Sequence, residues 1–170
     1  MFTVSIVIDE VIDALKSYIS LFTPGVEIIR AQINRVTYPK NDFVLLTDMG
    51  QIEIETPTLN FIPDEGSIKI LNPTKIAIKC DFFGENSGNY IRAFLSGFRS
   101  YYSYDKFPEN IKLLYFEEAF QRPLITDQNQ YSDKWSVIVY LQYNPVVEVP
   151  QDSAIELKNN LFINVDTTIE

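Results

Sequence analysis

Side chains able to do chemistry are few in this chain, and the most versatile type is missing. None of the 170 residues is histidine, which removes Ser-His-Asp and Cys-His nucleophilic catalysis and any histidine-ligated zinc or iron. No G-x-S-x-G, G-x-G-x-x-G or P-loop occurs, and the six glycines are too scattered to cradle a phosphate. Carboxylate pairs remain. Asp9 and Asp13 share a face if their stretch is helical. Glu53 and Glu55 share a strand face, about 7 Å apart at two residue rises. Acid–base work by such a pair needs one carboxyl in a dry cleft with its pKa raised, and a solvated face accounts for both pairs equally well. Asp81, Glu85 and Asn86 could gather a hard cation, but their spacing fits no calcium loop. Arg92, Arg99, Tyr101, Tyr102 and Tyr104 mix cations with rings as single-strand stacking sites do. Tyr101 and Tyr102 nevertheless continue an apolar helical stripe and read first as core. No catalytic, cofactor-binding or metal-binding residue is assigned, and no cofactor is expected.

Composition narrows the function classes further. Net charge is −9, with 14 basic against 23 acidic residues, which opposes binding nucleic acid through its phosphates. Hydrophobic residues are 46% and charged residues 22%, an ordinary globular balance. Length and balance predict a single domain over residues 1–170 with a sizeable core. Aromatics reach 14%, with 12 Phe and 10 Tyr, a surplus that suits surfaces built to be covered. The single cysteine, Cys80, cannot form an internal disulfide and reads as a buried thiol in a reducing compartment. The N-terminus lacks the basic region of a signal peptide, and no apolar run reaches membrane-span length, so no membrane association is expected.

The elements that must position these residues are legible from periodicity. Ile8, Val11, Ile12, Leu15, Tyr18, Ile19 and Phe22 recur at three and four, predicting a helix over 3–22 that ends at Pro24-Gly25, although residues 2–8 also fit a short strand. Strands are expected over 28–38, 43–47 and 51–56, with Asp48-Met49-Gly50 as a tight hairpin loop and 57–66 as a surface loop. Further strands are expected over 68–71 and 75–81, around a turn at Asn72-Pro73. A second helix starts from a cap at Asn86 or Ser87 and carries Ile91, Phe94, Leu95, Phe98, Tyr101 and Tyr102 on one stripe, closing at Phe107-Pro108. Residues 111–116 form a strand and 117–129 a long polar connection. The sum, two amphipathic helices and seven or so strands, is α+β: mainly antiparallel β-sheet with the helices packed on it.

The chain is organised around Tyr131 to Asp152. Trp135, Val137, Val139, Leu141 and Tyr143 alternate with Ser136, Ile138, Tyr140 and Gln142, giving a strand of nine residues or roughly 30 Å. Asn144-Pro145 stops it, because proline donates no amide hydrogen. Val146 to Pro150 then runs extended between two prolines, either as an edge strand of the same sheet or as a surface laid against another subunit. Trp135, Tyr143, Asn144, Pro145, Val147, Val149 and Pro150 are therefore the candidate partner-contact residues. Residues 153–170, with Leu161, Ile163 and Val165 in alternation, read as a further extended segment.

The run W-S-V-I-V-Y-L-Q-Y-N-P-V-V-E-V-P-Q-D, Trp135 to Asp152, resembles the C-terminal signature of the phage neck and tail terminator family of contractile-tailed bacteriophages. Its most specific part is Asn144-Pro145 followed by Pro150-Gln151-Asp152. The likeness extends over about 86–152, through the aromatic helix, the strand 111–116 and Arg122-Pro123, although E-A-F-Q-R-P departs from the usual D-P-R-Q-type wording. It implies a tail-terminator-like fold and a non-enzymatic virion protein assembled in the host cytoplasm. It also implies a homo-oligomeric ring, expected to have six subunits, at the head–tail junction. There the ring contacts tail tube protein, tail sheath protein and a neck or connector protein, while genomic DNA passes through without specific binding. Acidic residues would then face the DNA channel, with Asp48, Glu53, Glu55, Asp64 and Glu65 as candidates. The alternatives are a monomeric β-rich module binding carbohydrate or peptide, and a small carboxylate enzyme.

Overall fold

The computed structural model describes residues 3–4, 8–31, 39, 41–62, 65–122, 124–125 and 131–150. The expectations for residues 32–38, Asp64 and the C-terminal segment 153–170 lie outside them.

Helix α1 spans Ile8–Ser20 and buries Val11, Ile12, Leu15, Tyr18 and Ile19, the stripe its spacing predicts. It starts later than expected. Thr3–Val4, with its β-branched side chains, forms strand β1 against Glu148 and Val147 instead. Helix α2 spans Ser87–Arg99 and buries Ile91, Phe94 and Phe98. The Asn86 side chain makes no cap bond; its amide donates to Asp42 at 3.3 Å. Tyr101 and Tyr102 do not continue this helix. Ser100 adopts extended backbone (φ −92°, ψ 162°), and a 3-10 turn over Tyr101–Lys106 follows with no buried residue.

The main sheet has six strands. They are β2 (Glu27–Arg30), β3 (Phe43–Glu53), β6 (Thr74–Phe83), β7 (Ile111–Phe116), the short β8 (Phe120–Gln121) and β11 (Lys134–Tyr143). Their order is β2-β3-β6-β11-β7, with β8 also on β11, so the long strand is central. Only β2 and β3 run parallel; β6, β7, β8 and β11 pair antiparallel. Val44, Leu46, Ile76, Ile78, Cys80, Phe82, Val137, Val139 and Leu141 meet both helices in one core. Much of the aromatic surplus is interior: Tyr18, Phe22, Phe94, Phe98 and Phe107 form a cluster of edge-on and tilted rings. Among the described residues no α-helix packs on the opposite face of this sheet.

Three turn or loop expectations are corrected. Asp48-Met49-Gly50 is no hairpin. The strand continues through it, the register with β6 slipping between Asp48 and Gly50. Gly50 sits at φ 116°, its amide donating to the Asp48 carboxylate at 2.9 Å, and Met49 bulges outward. Residues 57–66 are not merely a loop, since Thr58–Ile62 is strand β4 paired with β5 (Ser67–Leu71). The connection after β7 holds β8 and β9 (Leu124–Ile125), the latter pairing with β10 (Tyr131–Ser132).

Candidate assembly interface

The second sheet has four strands in the order β1-β12-β5-β4, where β12 is Val146–Pro150. Thus Val146 to Pro150 is neither an edge strand nor part of the main sheet. Each of three central strands of the main sheet leads into a strand of the second: β3 into β4, β11 into β12, and β6 backwards into β5. The order β3-β6-β11 is repeated as β4-β5-β12. The breaks fall at Pro57, Pro73 and Pro145, each lacking the amide that a continuous ladder needs. The seam is laced by backbone bonds, Ile54 N–H to Pro73 C=O at 2.9 Å and Asn72 N–H to Pro145 C=O at 3.0 Å. The second sheet is therefore a flap continuing the core sheet past a proline seam.

Register sorts its side chains into two unlike faces. Leu59 lies opposite Ile70 and Phe61 opposite Ile68; across β5, Val147 pairs with Ile70 and Val149 with Ile68. One face is thus wholly apolar: Leu59, Phe61, Ile68, Ile70, Val147 and Val149. The other carries Asn60, Lys69 and Glu148 in one row, with Lys69 and Glu148 3.8 Å apart. None of the six apolar side chains is buried, and Leu59 is 62% exposed. Among the described residues no strand pairs with the outer edge of β4, which leaves a row of backbone donors and acceptors open to a partner.

The contact candidates from the sequence divide along the seam. Val147, Val149 and Pro150 lie on the flap, the two valines on its apolar face. Asn144 and Pro145 lie in the seam, where Asn144 accepts from Gln142 at 3.2 Å. Tyr143 is a core residue whose hydroxyl donates to Gln51; burial, and the nearby Asp48 carboxylate, push its pKa up. Trp135 is half-buried, its ring packed over Gly88 of α2. Leu59 and Phe61 were placed in a loop, although their alternation with Thr58 and Asn60 carries the strand signal; Ile68 and Ile70 fall in the expected strand but were not counted among the contact candidates.

The acidic candidates among the described residues do not form one cluster. Asp48 is held at the bulge by the Gly50 amide. Glu53 and Glu55, both exposed, flank Ile54 at the seam. Glu65, also exposed, lies in the β4–β5 turn at the far end of the flap, about 13 Å away at four residue rises. Asp81, read as a possible cation ligand, is engaged by Lys79 at 3.1 Å, Lys134 at 3.3 Å and the Ser136 hydroxyl. Asp9 pairs with Arg30.

A model of the phage neck terminator proteins matches residues 9–168. The chain belongs to the phage neck terminator family. It is thus a structural protein of a bacteriophage tail. No curated protein matches it. Of 17 matching chains of solved structures, one is the sheath/tube terminator of an extracellular contractile injection system, PVC, in the extended state. It is 14% identical, with a TM-score of 0.44 over 98% of this chain and 64% of that one. This neck terminator homologue therefore spans under two thirds of that structure's length. No helix among its described residues is long and apolar enough to cross a membrane.

Proposed function

We propose that this chain closes the head-proximal end of a phage tail as a ring of six copies. The ring ends tube and sheath polymerisation and offers the neck of the filled head its docking face. Residues 1–170 act as one unit, and its work is steric, with no reactive group. Tube, sheath and connector proteins are its partners, and DNA threads the ring without sequence-specific contact.

The apolar face of the flap, none of whose six side chains is buried by the described residues, is the observation that carries this reading. Burying one such side chain fully contributes about 1.5–3 kcal/mol relative to exposure, so a sheet face of six of them favours a covered state. The open β4 edge adds backbone pairing to the same contact. A neighbouring subunit meets both needs, and a ring built of unlike surfaces closes by repeating one contact.

The test introduces charge on that face. Leu59→Asp with Phe61→Asp alters exposed positions and leaves the fold intact by circular dichroism. Native mass spectrometry in the presence of tube protein is expected to show rings for the parent chain and monomers for the variant. Complementation of a phage lacking the chain is expected to yield tails of uncontrolled length with the variant. Rings and normal tails from the variant would reject the flap as the assembly surface.

A further inference from the structure

The main-sheet face opposite the helices carries a second feature that the flap does not explain. Register sets Ile52, Lys75, Gln142 and Lys112 in one row across β3, β6, β11 and β7. In the next row Tyr140 and Tyr115 stack with ring centres 4.5 Å apart. The Lys75 ammonium lies 5.4 and 5.7 Å from those two rings and 3.3 Å from the Tyr115 hydroxyl. Lys112 lies 5.0 Å over Tyr104, which stacks on Tyr101 at 5.7 Å. Rings and lysines thus form one continuous ribbon. Three of its tyrosines are open to solvent, Tyr101 at 81%, Tyr104 at 61% and Tyr115 at 49%, while Tyr140 is half-buried. Neither Lys75 nor Lys112 meets a carboxylate among the described residues. In a chain of net charge −9, two cations without a counter-charge beside bare tyrosines have the composition of an interface.

The matching surface lies on the other side of the sheet. Glu10 and Asp13 sit on the solvent side of α1, exposed and without an ion-pair partner among the described residues. We propose that the tyrosine–lysine ribbon of one subunit docks the Glu10–Asp13 face of α1 on the next. Two unlike, charge-complementary patches on opposite sides of one subunit are what a heterologous contact needs, and complementarity of this kind fixes register and speeds encounter. Duplex DNA is the other polyanion to weigh. It fits less well, because two lysines are few against the several phosphate contacts a duplex binder makes, and the chain as a whole carries net charge −9.

The inference rests on the reading that this chain assembles with copies of itself, and the experiment separates the two. Lys75→Glu/Lys112→Glu, Glu10→Lys/Asp13→Lys and the fourfold combination are compared with the parent full chain. Native mass spectrometry and sedimentation follow assembly with tube protein at low and high salt, with circular dichroism as the folding control. Each double variant is expected to lose assembly affinity by on the order of tenfold, the combination to regain most of it, and salt to weaken the parent contact. If Lys75→Glu fails to fold, Lys75→Gln/Lys112→Gln serves, with a smaller loss expected. Rings that form unchanged with the double variants, or a fourfold variant that recovers nothing, overturn the docking while leaving the ring reading standing. Unaffected rings with a loss of fluorescent-duplex binding in the lysine variants would make DNA the occupant, and also overturn it. A parent chain that stays monomeric with tube protein at every salt overturns both.

Discussion

Asp81 and Ser136 face each other across the β6–β11 register, and the serine hydroxyl donates to the carboxylate. The same carboxylate holds Lys79 at 3.1 Å and Lys134 at 3.3 Å while its side chain is only 3% exposed. Ser136 and Asp81 lie on the sheet face opposite the helices, where the neighbouring positions Lys79, Ile138 and Tyr140 are only half-buried. One acid thus neutralises two lysines and satisfies a buried hydroxyl at the centre of the sheet.

Removing that charge is expected to strand its partners. Asp81→Asn keeps shape but leaves both ammonium groups without a counter-charge; the cost is about 3–5 kcal/mol for a fully buried pair and less here, where both lysines are partly exposed. Urea unfolding is expected to show a lower midpoint with an unchanged slope. A midpoint within error of the parent would mean that solvent, not Asp81, balances the two lysines.

Gly97 tests the helix-to-helix packing. A Cβ there would collide with the Phe22 ring and meet the Tyr18 hydroxyl at 3.1 Å. Alanine favours helix over glycine by about 1 kcal/mol, yet overpacking costs about 1–3 kcal/mol, so Gly97→Ala is expected to lower Tm. The same substitution in a Phe22→Ala background is expected to be neutral or stabilising, the coupling read from a double-mutant cycle. A Gly97→Ala chain more stable than its parent would show that Phe22 swings aside at no cost.

How far these features could be read in advance depended on whether one element or two were needed to see them. The α1 stripe from Ile8 to Phe22 and the alternation of Trp135 to Tyr143 each repeat within a single element, and both proved to be core faces. The Asp48-Met49-Gly50 turn was misread because a positive-φ glycine serves a hairpin and a bulge alike; only pairing with β6 decides between them. Tyr101 and Tyr102 kept helical spacing, and the extended backbone at Ser100 breaks it without a proline or glycine at that position. Strand β4 was missed because Pro57 and Gly66 frame it with loop chemistry. The ribbon of Tyr104, Lys112, Lys75, Tyr115 and Tyr140 joins residues far apart in the chain, Lys75 and Tyr115 being 40 positions apart and Tyr140 farther still, so it exists only once the strands are in register.

Alkaline pH is expected to destabilise the fold through Tyr18 and Cys80. Burial, with Tyr102 nearby, pushes the Tyr18 hydroxyl from 10.0 up to about 12, and burial raises the Cys80 thiol from 9.0. Both groups are neutral when folded and ionise more readily when unfolded, so the unfolded chain holds fewer protons as pH rises. Stability is therefore full below about pH 9 and falls as pH climbs through the Tyr18 value. For Tyr18 the loss between pH 10 and 12 is on the order of 2 kcal/mol. Urea unfolding at stepped pH is expected to show a shallower decline above pH 10 for Tyr18→Phe than for its parent. Equal slopes would mean that the buried hydroxyl carries no such penalty. The Cys80 thiol is expected to resist thiol reagents until the chain unfolds.

The acidic residues of the β3–β4–β5 region offer the sharpest test of the channel reading. Duplex DNA carries one negative charge per about 1.7 Å of axis, so a lumen of like sign repels it and lets it slide. Glu53, Glu55 and Glu65 are exposed and make no ion pair among the described residues, which leaves them free to serve without loss of fold. Asp48 is a poorer choice for substitution because the Gly50 amide depends on it. Glu53→Lys/Glu55→Lys and, separately, Glu65→Lys are expected to leave ring formation and melting temperature near the parent's. Virions carrying whichever variant lines the channel are expected to eject DNA more slowly, with the delay shrinking as salt screens the new attraction. The seam pair and the flap-tip residue lie too far apart to act as one patch, so a delay from only one of the two variants would locate the channel. Ejection at the parent rate from both would place all three carboxylates away from the DNA.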